Sequence, residues 1–222
     1  MILSDVKVVL PNHVFEHGSI EIQGDKISKV FDCIVDGQGV IDCKGLIAMP
    51  GFIDLHFHGS CDFMDASVND YKQISESLFK EGITTYLATT LTSDFDSMMR
   101  VCRNVKEAKK DNPSLYGIHF EGPYISSKHA GAQNPDFIRN PDIKEFDELQ
   151  KLSGNNVRYI AMAPEKEGAL EFIAHVTNNG TSVAAGHTDA TFDEVEAAIK
   201  AGLTNTTHTH NAMSGHHHRN PG

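Results

Sequence analysis

Over the first 45 residues, apolar side chains recur at every second position in short runs broken by turns. Val6-Lys7-Val8-Val9-Leu10 reads as a strand. Ser19-Ile20-Glu21-Ile22-Gln23 alternates, turns at Gly24-Asp25 and resumes as Lys26-Ile27-Ser28-Lys29-Val30, a hairpin signal. Val40-Ile41-Asp42 is a further short strand. After Pro50 the pattern changes to apolar runs separated by stretches of helical period. The runs are Phe52-Ile53-Asp54-Leu55, then 84–89, 115–120, 157–162, 182–185 and 204–207. Helices are predicted over 67–80, with Ser67 as N-cap, Asp70 at N3 and Gly82 as the stop, and over 95–109, 142–152 and 168–178. Thr191 and Glu194 form a capping box for a last helix that stops at Gly202. A loop at 121–140 interrupts the rhythm.

Strand–helix alternation at this spacing implies a parallel sheet. An open doubly wound sheet and a (β/α)8 barrel both satisfy it. No GxGxxG follows any strand, so a dinucleotide site has no support. The expected organisation is a small β-domain over 1–45 and a (β/α) barrel portion over 46–222.

Composition narrows the partners. Nineteen Lys and Arg against 30 Asp and Glu leave a net charge of −11, which disfavours nucleic acid and anionic membrane surfaces. A small anionic substrate needs only one or two local cations and stays open. No run of 18 apolar residues occurs, and the N-terminus carries Asp5 and Lys7 inside its apolar stretch rather than a signal-peptide pattern. A cytoplasmic protein is expected. The four cysteines, Cys33, Cys43, Cys61 and Cys102, make no CxxC pair and read as buried free thiols. Cys61 lies close to a histidine pair.

Thirteen histidines are the unusual feature. At that abundance HxH pairs arise by chance, and there are three: 56/58, 208/210 and 216/218. Spacing alone therefore decides nothing. His216-His217-His218 is followed by Arg219-Asn220-Pro221-Gly222 and reads as natural sequence rather than a tag. Context is more informative. His56 and His58 end the first barrel strand with both imidazoles on one side. Glu121 falls just past the third strand, His187 just past the fifth and His208 at the end of the sixth. All lie at carboxyl ends of parallel strands, where barrels place their sites. Several imidazoles with a carboxylate suit Zn²⁺ or Fe²⁺. Lys128 and His129 read as solvated loop residues.

These residues sit in recognisable motifs. Met49-Pro50-Gly51-Phe52-Ile53-Asp54-Leu55-His56-Phe57-His58-Gly59 resembles the first strand of the amidohydrolase superfamily. Gly117-Ile118-His119-Phe120-Glu121-Gly122-Pro123-Tyr124 and Gly131-Ala132-Gln133-Asn134-Pro135 narrow the resemblance. So do Ala185-Gly186-His187-Thr188-Asp189-Ala190 and Thr207-His208-Thr209-His210-Asn211-Ala212-Met213. Together, over essentially the whole chain, they resemble the N-acetylglucosamine-6-phosphate deacetylase family. The resemblance implies a (β/α)8 TIM-type barrel, about six of eight units present, with a small N-terminal β-sandwich-like part. It implies metal-dependent hydrolysis of an acetamide on a phosphosugar, one or two divalent ions (Zn or Fe), and a homodimer when full length. By position, Glu121, His187 and His208 would hold the main metal and His56 and His58 a second. Ala132, Gln133, Asn211, Ala212 and Arg219 would contact substrate, Arg219 through its phosphate.

Gln133 stands where the family has histidine, His210 where it has an aromatic or other large residue, and Asn220 where it has glutamate. The family's general base is an Asp on the last barrel strand, and none of these 222 residues matches it. A full barrel takes about 250 residues, so two units and that Asp are expected beyond Gly222. Two other readings stay open: an amidohydrolase for another N-acetyl sugar, or a non-catalytic metal-binding remnant.

Overall fold

The structure is a computed structural model describing residues 1–59, 63–219 and 221–222. Cys61 lies outside the described residues. Contacts divide the chain into two units, Met1–Gly51 and Phe52–Gly222.

The first unit is one five-stranded sheet of β1 (Ile2–Leu10), β2 (His13–Gln23), β3 (Lys26–Phe31), β4 (Val40–Asp42) and β5 (Ile47–Ala48). β2 pairs antiparallel with β1 and β3, while β4 and β5 pair parallel with β1. Val6, Val8, Ile20 and Cys43 are buried, with Leu3, Phe15, Ile22 and Val30 packed against them. The Gly24-Asp25 hairpin forms as the alternation predicts. A second hairpin does not announce itself by alternation: Leu10 pairs with His13 across Pro11-Asn12, so β2 begins well before Ser19. β5 pairs with β1, which carries the unit to Gly51 rather than to residue 45.

The second unit alternates β6 (Phe52–Phe57), α1 (Asp70–Lys80), β7 (Ile83–Thr89), α2 (Phe95–Ala108), β8 (Leu115–Glu121), α3 (Ile143–Leu152), β9 (Val157–Met162), α4 (Ala169–Asn178), β10 (Ser182–Ala185), α5 (Phe192–Ala201) and β11 (Asn205–Thr206). The six strands are parallel and follow sequence order from β6 to β11 without reversal. A doubly wound sheet reverses at a switch point; a barrel winds one way. Right-handed crossovers in a one-way order put every helix on the same face. The sheet is that of an incomplete (β/α) barrel, as expected from the motifs.

Alternation sorts the strands. Tyr86, Ala88, Ile118, Phe120, Ile160, Met162 and Val183 pack with the helices in one core. Leu87, Tyr159 and Ala184 cluster on the opposite face. α2 buries Met98, Val101, Cys102, Val105 and Ala108, the stripe its period predicts, each large apolar side chain contributing about 1.5–3 kcal/mol. Its N-cap is Asp94, which accepts from Ser97 N at 2.8 Å. The capping box of α5 forms with both halves present. α1 differs from expectation. Ser67 donates through N and Oγ to Asp70 Oδ2, both at 2.7 Å, and the helix starts at Asp70, because a turn precedes it. Among the described residues, no helix is long and apolar enough to cross a membrane.

Of the free thiols, Cys43 and Cys102 are buried as expected, but Cys33 is exposed. Burial pushes the Cys102 thiol up to about 12. Thiolate is the reactive form, so Cys102 stays inert until the pH approaches that value. Alkylation of the native chain at about pH 8, read by peptide mass spectrometry, is expected to mark Cys33 and spare Cys102 until the protein unfolds. Marking of Cys102 in the folded chain would contradict its burial.

Candidate metal centre

Parallel strands deliver their carboxyl ends to one rim. Ile118 and Phe120 belong to the helix-side core, so His119 and Glu121 face the other side of β8. His56 lies near the end of β6, with His58 just beyond it. His187 follows β10 and His208 follows β11 by two residues each. Five side chains predicted from separate motifs meet here. His56 Nε2 lies 3.2 Å from Glu121 Oε1, and His58 Nε2 3.0 Å from Oε2. His187 Nε2 and His208 Nε2 each lie 3.2 Å from Oε1. Two triads result, His56–His58–Glu121 and Glu121–His187–His208, each with ligand atoms within 4.8 Å of one another.

Hydrogen bonding behind the rings decides what this arrangement fits. A backbone carbonyl only accepts. His187 Nδ1 is 2.7 Å from His129 O, and His208 Nδ1 is 3.1 Å from Asn211 O. Both Nδ1 atoms therefore carry hydrogen, and each neutral ring keeps its lone pair on Nε2. Those two Nε2 atoms are 3.1 Å apart and both face a carboxylate oxygen. Lone pairs that converge without hydrogens between them fit a cation.

Glu121 is 3% exposed in its side chain. Burial alone would raise its pKa, but the adjoining imidazoles of His187, His56 and His58 outweigh it and hold the carboxyl well below the usual range. Burial lowers the His187 pKa, yet the adjoining Glu121 carboxylate and the His129 carbonyl leave it raised. The carboxylate stays charged and attracts a positive partner.

Backbone strain aims the ligands. His187 and His208 sit at φ 48° and 34°, and His210 and Ala212 at 75° and 51°. Non-glycine residues there cost about 1–3 kcal/mol each and persist only where their surroundings hold them. Here Ser126 N donates to His187 O at 2.8 Å, Asn211 N to His208 O at 2.9 Å and Thr188 N to Ala212 O at 3.1 Å. Gly122, directly after Glu121, has φ 81°, and any Cβ there would collide with Thr92 Oγ1.

The remaining predicted residues divide. Gln133 is buried against the carboxylate: its Nε2 donates to Glu121 Oε2 at 2.9 Å and its Oε1 accepts from Thr92 N at 2.6 Å. Thr92 N–H can only donate, which fixes the amide orientation. Gln133 thus holds Glu121, a role its place in the motif did not announce. Asn211 and Ala212 form the turn carrying His208. Ala132 is exposed, and Arg219 is exposed with its backbone N donating to His217 Nδ1 at 3.2 Å. Asn220 lies outside the described residues.

Lys128 and His129 are more than solvated loop residues. Lys128 pairs with Asp189 Oδ2, and His129 Nε2 lies 3.0 Å from Asp189 Oδ1. Glu165 accepts in turn from Asp189 N at 2.7 Å and Thr188 Oγ1 at 2.6 Å. These contacts clamp the turn whose His129 carbonyl fixes the His187 ring. Nothing in its motif marks His119 as a site residue. It is fully buried, its Nδ1 lies 2.9 Å from Leu55 O, and burial, with the nearby His56, lowers its pKa to about 3. Its Nε2 has no partner among the described residues, an omission that costs about 1–3 kcal/mol.

A one-way parallel barrel sheet thus brings histidines and a carboxylate together at its carboxyl rim in two groups that could hold metal ions. Residues 47–220 match the amidohydrolase family, and the chain belongs to it. The chain is similar to the N-acetylglucosamine-6-phosphate deacetylase of Lysinibacillus sphaericus, 36% identical over 229 residues, covering 100% of this chain and 59% of that protein. It is also similar to the N-acetylgalactosamine-6-phosphate deacetylase of Escherichia coli O157:H7, 34% identical over 178 residues, covering 78% of this chain and 47% of that one. A solved structure of a mutant N-acetyl-D-glucosamine-6-phosphate deacetylase from Mycobacterium smegmatis, in complex with N-acetyl-D-glucosamine-6-phosphate, superposes with a TM-score of 0.92 at 32% identity. It covers 100% of this chain and 58% of its own. The chain thus spans 59% of the length of the first of these deacetylases and 47% of the second.

Replacing Gln133 with Leu removes one hydrogen bond from Glu121 and leaves Thr92 N–H buried without an acceptor. Unfolding free energy is expected to fall by about 1–3 kcal/mol in urea titrations. Metal affinity is expected to weaken by about 10–100-fold, as for other changes behind the ligands. Unchanged stability and affinity would show that Gln133 does not support the carboxylate.

Proposed function

We propose that the chain carries the metal-binding part of a hydrolase that removes acetate from N-acetylglucosamine 6-phosphate, giving glucosamine 6-phosphate. The observation that carries this reading is the convergence of His187 and His208 lone pairs on Glu121, with His56 and His58 on the same carboxylate. Similarity to curated deacetylases over the whole chain supports the substrate.

Glu121, His187 and His208 would hold one divalent ion, and His56, His58 and the shared Glu121 a second. Imidazole with carboxylate suits Zn²⁺ or Fe²⁺. An ion held there would supply Lewis acidity, which would polarise the acetamide carbonyl and lower the pKa of water to about 7. The chain's own residues supply orientation. The His129 and Asn211 carbonyls keep hydrogen on Nδ1 of His187 and His208, so Nε2 stays free to bind. Gln133 and Thr92 hold the carboxylate in place. Asn211, Ala212 and Ala132 present backbone and amide groups to the sugar. Arg219 forks onto the phosphate, where a guanidinium makes paired charge-assisted hydrogen bonds.

A second reading changes the sugar. Gln133 in place of histidine, His210 in place of a large residue and the similarity to a galactosamine-type deacetylase favour another N-acetyl sugar phosphate.

The reading is tested on the protein expressed from its full reading frame, freed of metal and reloaded with Zn²⁺ or Fe²⁺. Acetate release from N-acetylglucosamine 6-phosphate is expected, with little from the unphosphorylated sugar. No acetate from the first substrate would sink the assignment, and faster release from the galactosamine isomer would favour the second reading. In the same protein, Arg219→Ala is expected to raise KM by about 10–100-fold with a smaller change in kcat, the loss of hydrogen bonds to a charged group worth about 1.5–3 kcal/mol.

A further inference from the structure

Alternation puts His56 and His58 on one side of β6, and an irregularity in the strand decides that this side is not the helix side. Asp54 pairs with Tyr86 and Phe57 with Ala88, so three steps along β6 match two along β7. Leu55 and His56 therefore oppose the single residue Leu87, a β-bulge. Past it, Phe57 turns to the helix side, against Phe63 and Tyr86, and the two imidazoles reach Glu121. A bulge breaks the ladder, and the freed backbone groups need other partners. Side chains supply them. Asp54 Oδ1 accepts from His56 N at 3.0 Å, and Thr89 Oγ1 accepts from Phe57 N at 2.9 Å. Leu55 O accepts from His119 Nδ1 at 2.9 Å. His119 reaches Leu55 from β8, across β7, and its ring lies edge-on to His56 with centroids 4.9 Å apart.

We propose that His119 is a positioning residue: its Nδ1–H, together with the Thr89 hydroxyl, holds the β6 bulge that turns His56 and His58 toward Glu121. This rests on the reading that the pair binds a metal ion. The chemistry at Leu55 explains why histidine stands here. An apolar ring would fill the same buried space without an unpartnered nitrogen, but it would give the Leu55 carbonyl no donor.

Volume and hydrogen bonding can be separated, because Phe keeps the ring and loses the donor, while Asn keeps a donor near Nδ1 and loses the ring. The protein expressed from its full reading frame is titrated with Zn²⁺ after metal removal, with far-UV spectra checking the fold. His119→Phe and Thr89→Val are expected to weaken binding of the ion at His56 and His58 by about 10–100-fold. The ion at Glu121, His187 and His208 keeps its affinity, and His119→Asn retains most of the second site. Amide exchange of metal-free protein over residues 52–58 is expected to quicken in His119→Phe and Thr89→Val and not in His119→Asn. Wild-type exchange and two-ion binding in His119→Phe, or equal damage in His119→Asn, would overturn the proposal. Wild-type protein taking one ion while the exchange pattern holds would sink the two-ion reading and leave the bulge assignment standing.

Discussion

A carboxylate removed from water must be neutralised, paired or bound to a cation. Glu121, 3% exposed in its side chain, meets that demand with four imidazoles and one amide. Much of the rim follows from it. The imidazoles arrive from β6, β10 and β11, so the strands that carry them must end together. The rings must present Nε2 rather than Nδ1, which requires an acceptor behind His187 and His208. Those acceptors are backbone carbonyls of loop residues, so the loops must be held as firmly as the strands. The Asp189 contacts to Lys128 and His129 do this for one of them.

Topology supplies the rest at little cost. In a sheet wound one way, every helix packs on one face and every carboxyl end reaches the same rim. Alternation then divides each strand between stability and chemistry. Along β8, Ile118 and Phe120 anchor the core while His119 and Glu121 face away from it. At the rim, strain falls on residues just past the strand ends. His187 and His208 adopt left-handed φ where the chain leaves β10 and β11, and the ladder itself stays regular.

The elements were legible wherever their signal was local. The periods separated strand from helix after Pro50, and the Thr191–Glu194 capping box marked the start of α5. The five ligand positions were legible because motif and strand end coincided. What could not be read depended on contacts between distant parts of the chain. Gln133 and Thr92 meet only once the loop after β8 folds back. His129 acts through a carbonyl, which every residue has, so its side-chain type said nothing. His119 alternated with Glu121 as any inward strand residue would, and only the β6 bulge gave it a partner. Ser67 failed as a cap for a related reason: its local pattern with Asp70 was real, but the side chains met in a turn before the helix rather than at its first residue.

The two oxygens of Glu121 are not equivalent. Oε1 faces His56, His187 and His208, whereas Oε2 faces His58 and already accepts from Gln133. A carboxylate oxygen has two lone pairs, so the amide occupies one of the two on Oε2. A hydrogen bond also withdraws charge from the oxygen that receives it, making Oε2 the weaker donor. The triads differ in backing as well. His187 and His208 rest on carbonyls next to their own rim loops, while His56 and His58 rest on a bulge held by side chains from β7 and β8. The shared carboxylate therefore joins two unlike half-sites, one fixed by backbone and the other by side chains. Substitutions reach the second half-site directly, and the first only through the side chains that hold its loops, such as the Lys128 and His129 contacts to Asp189.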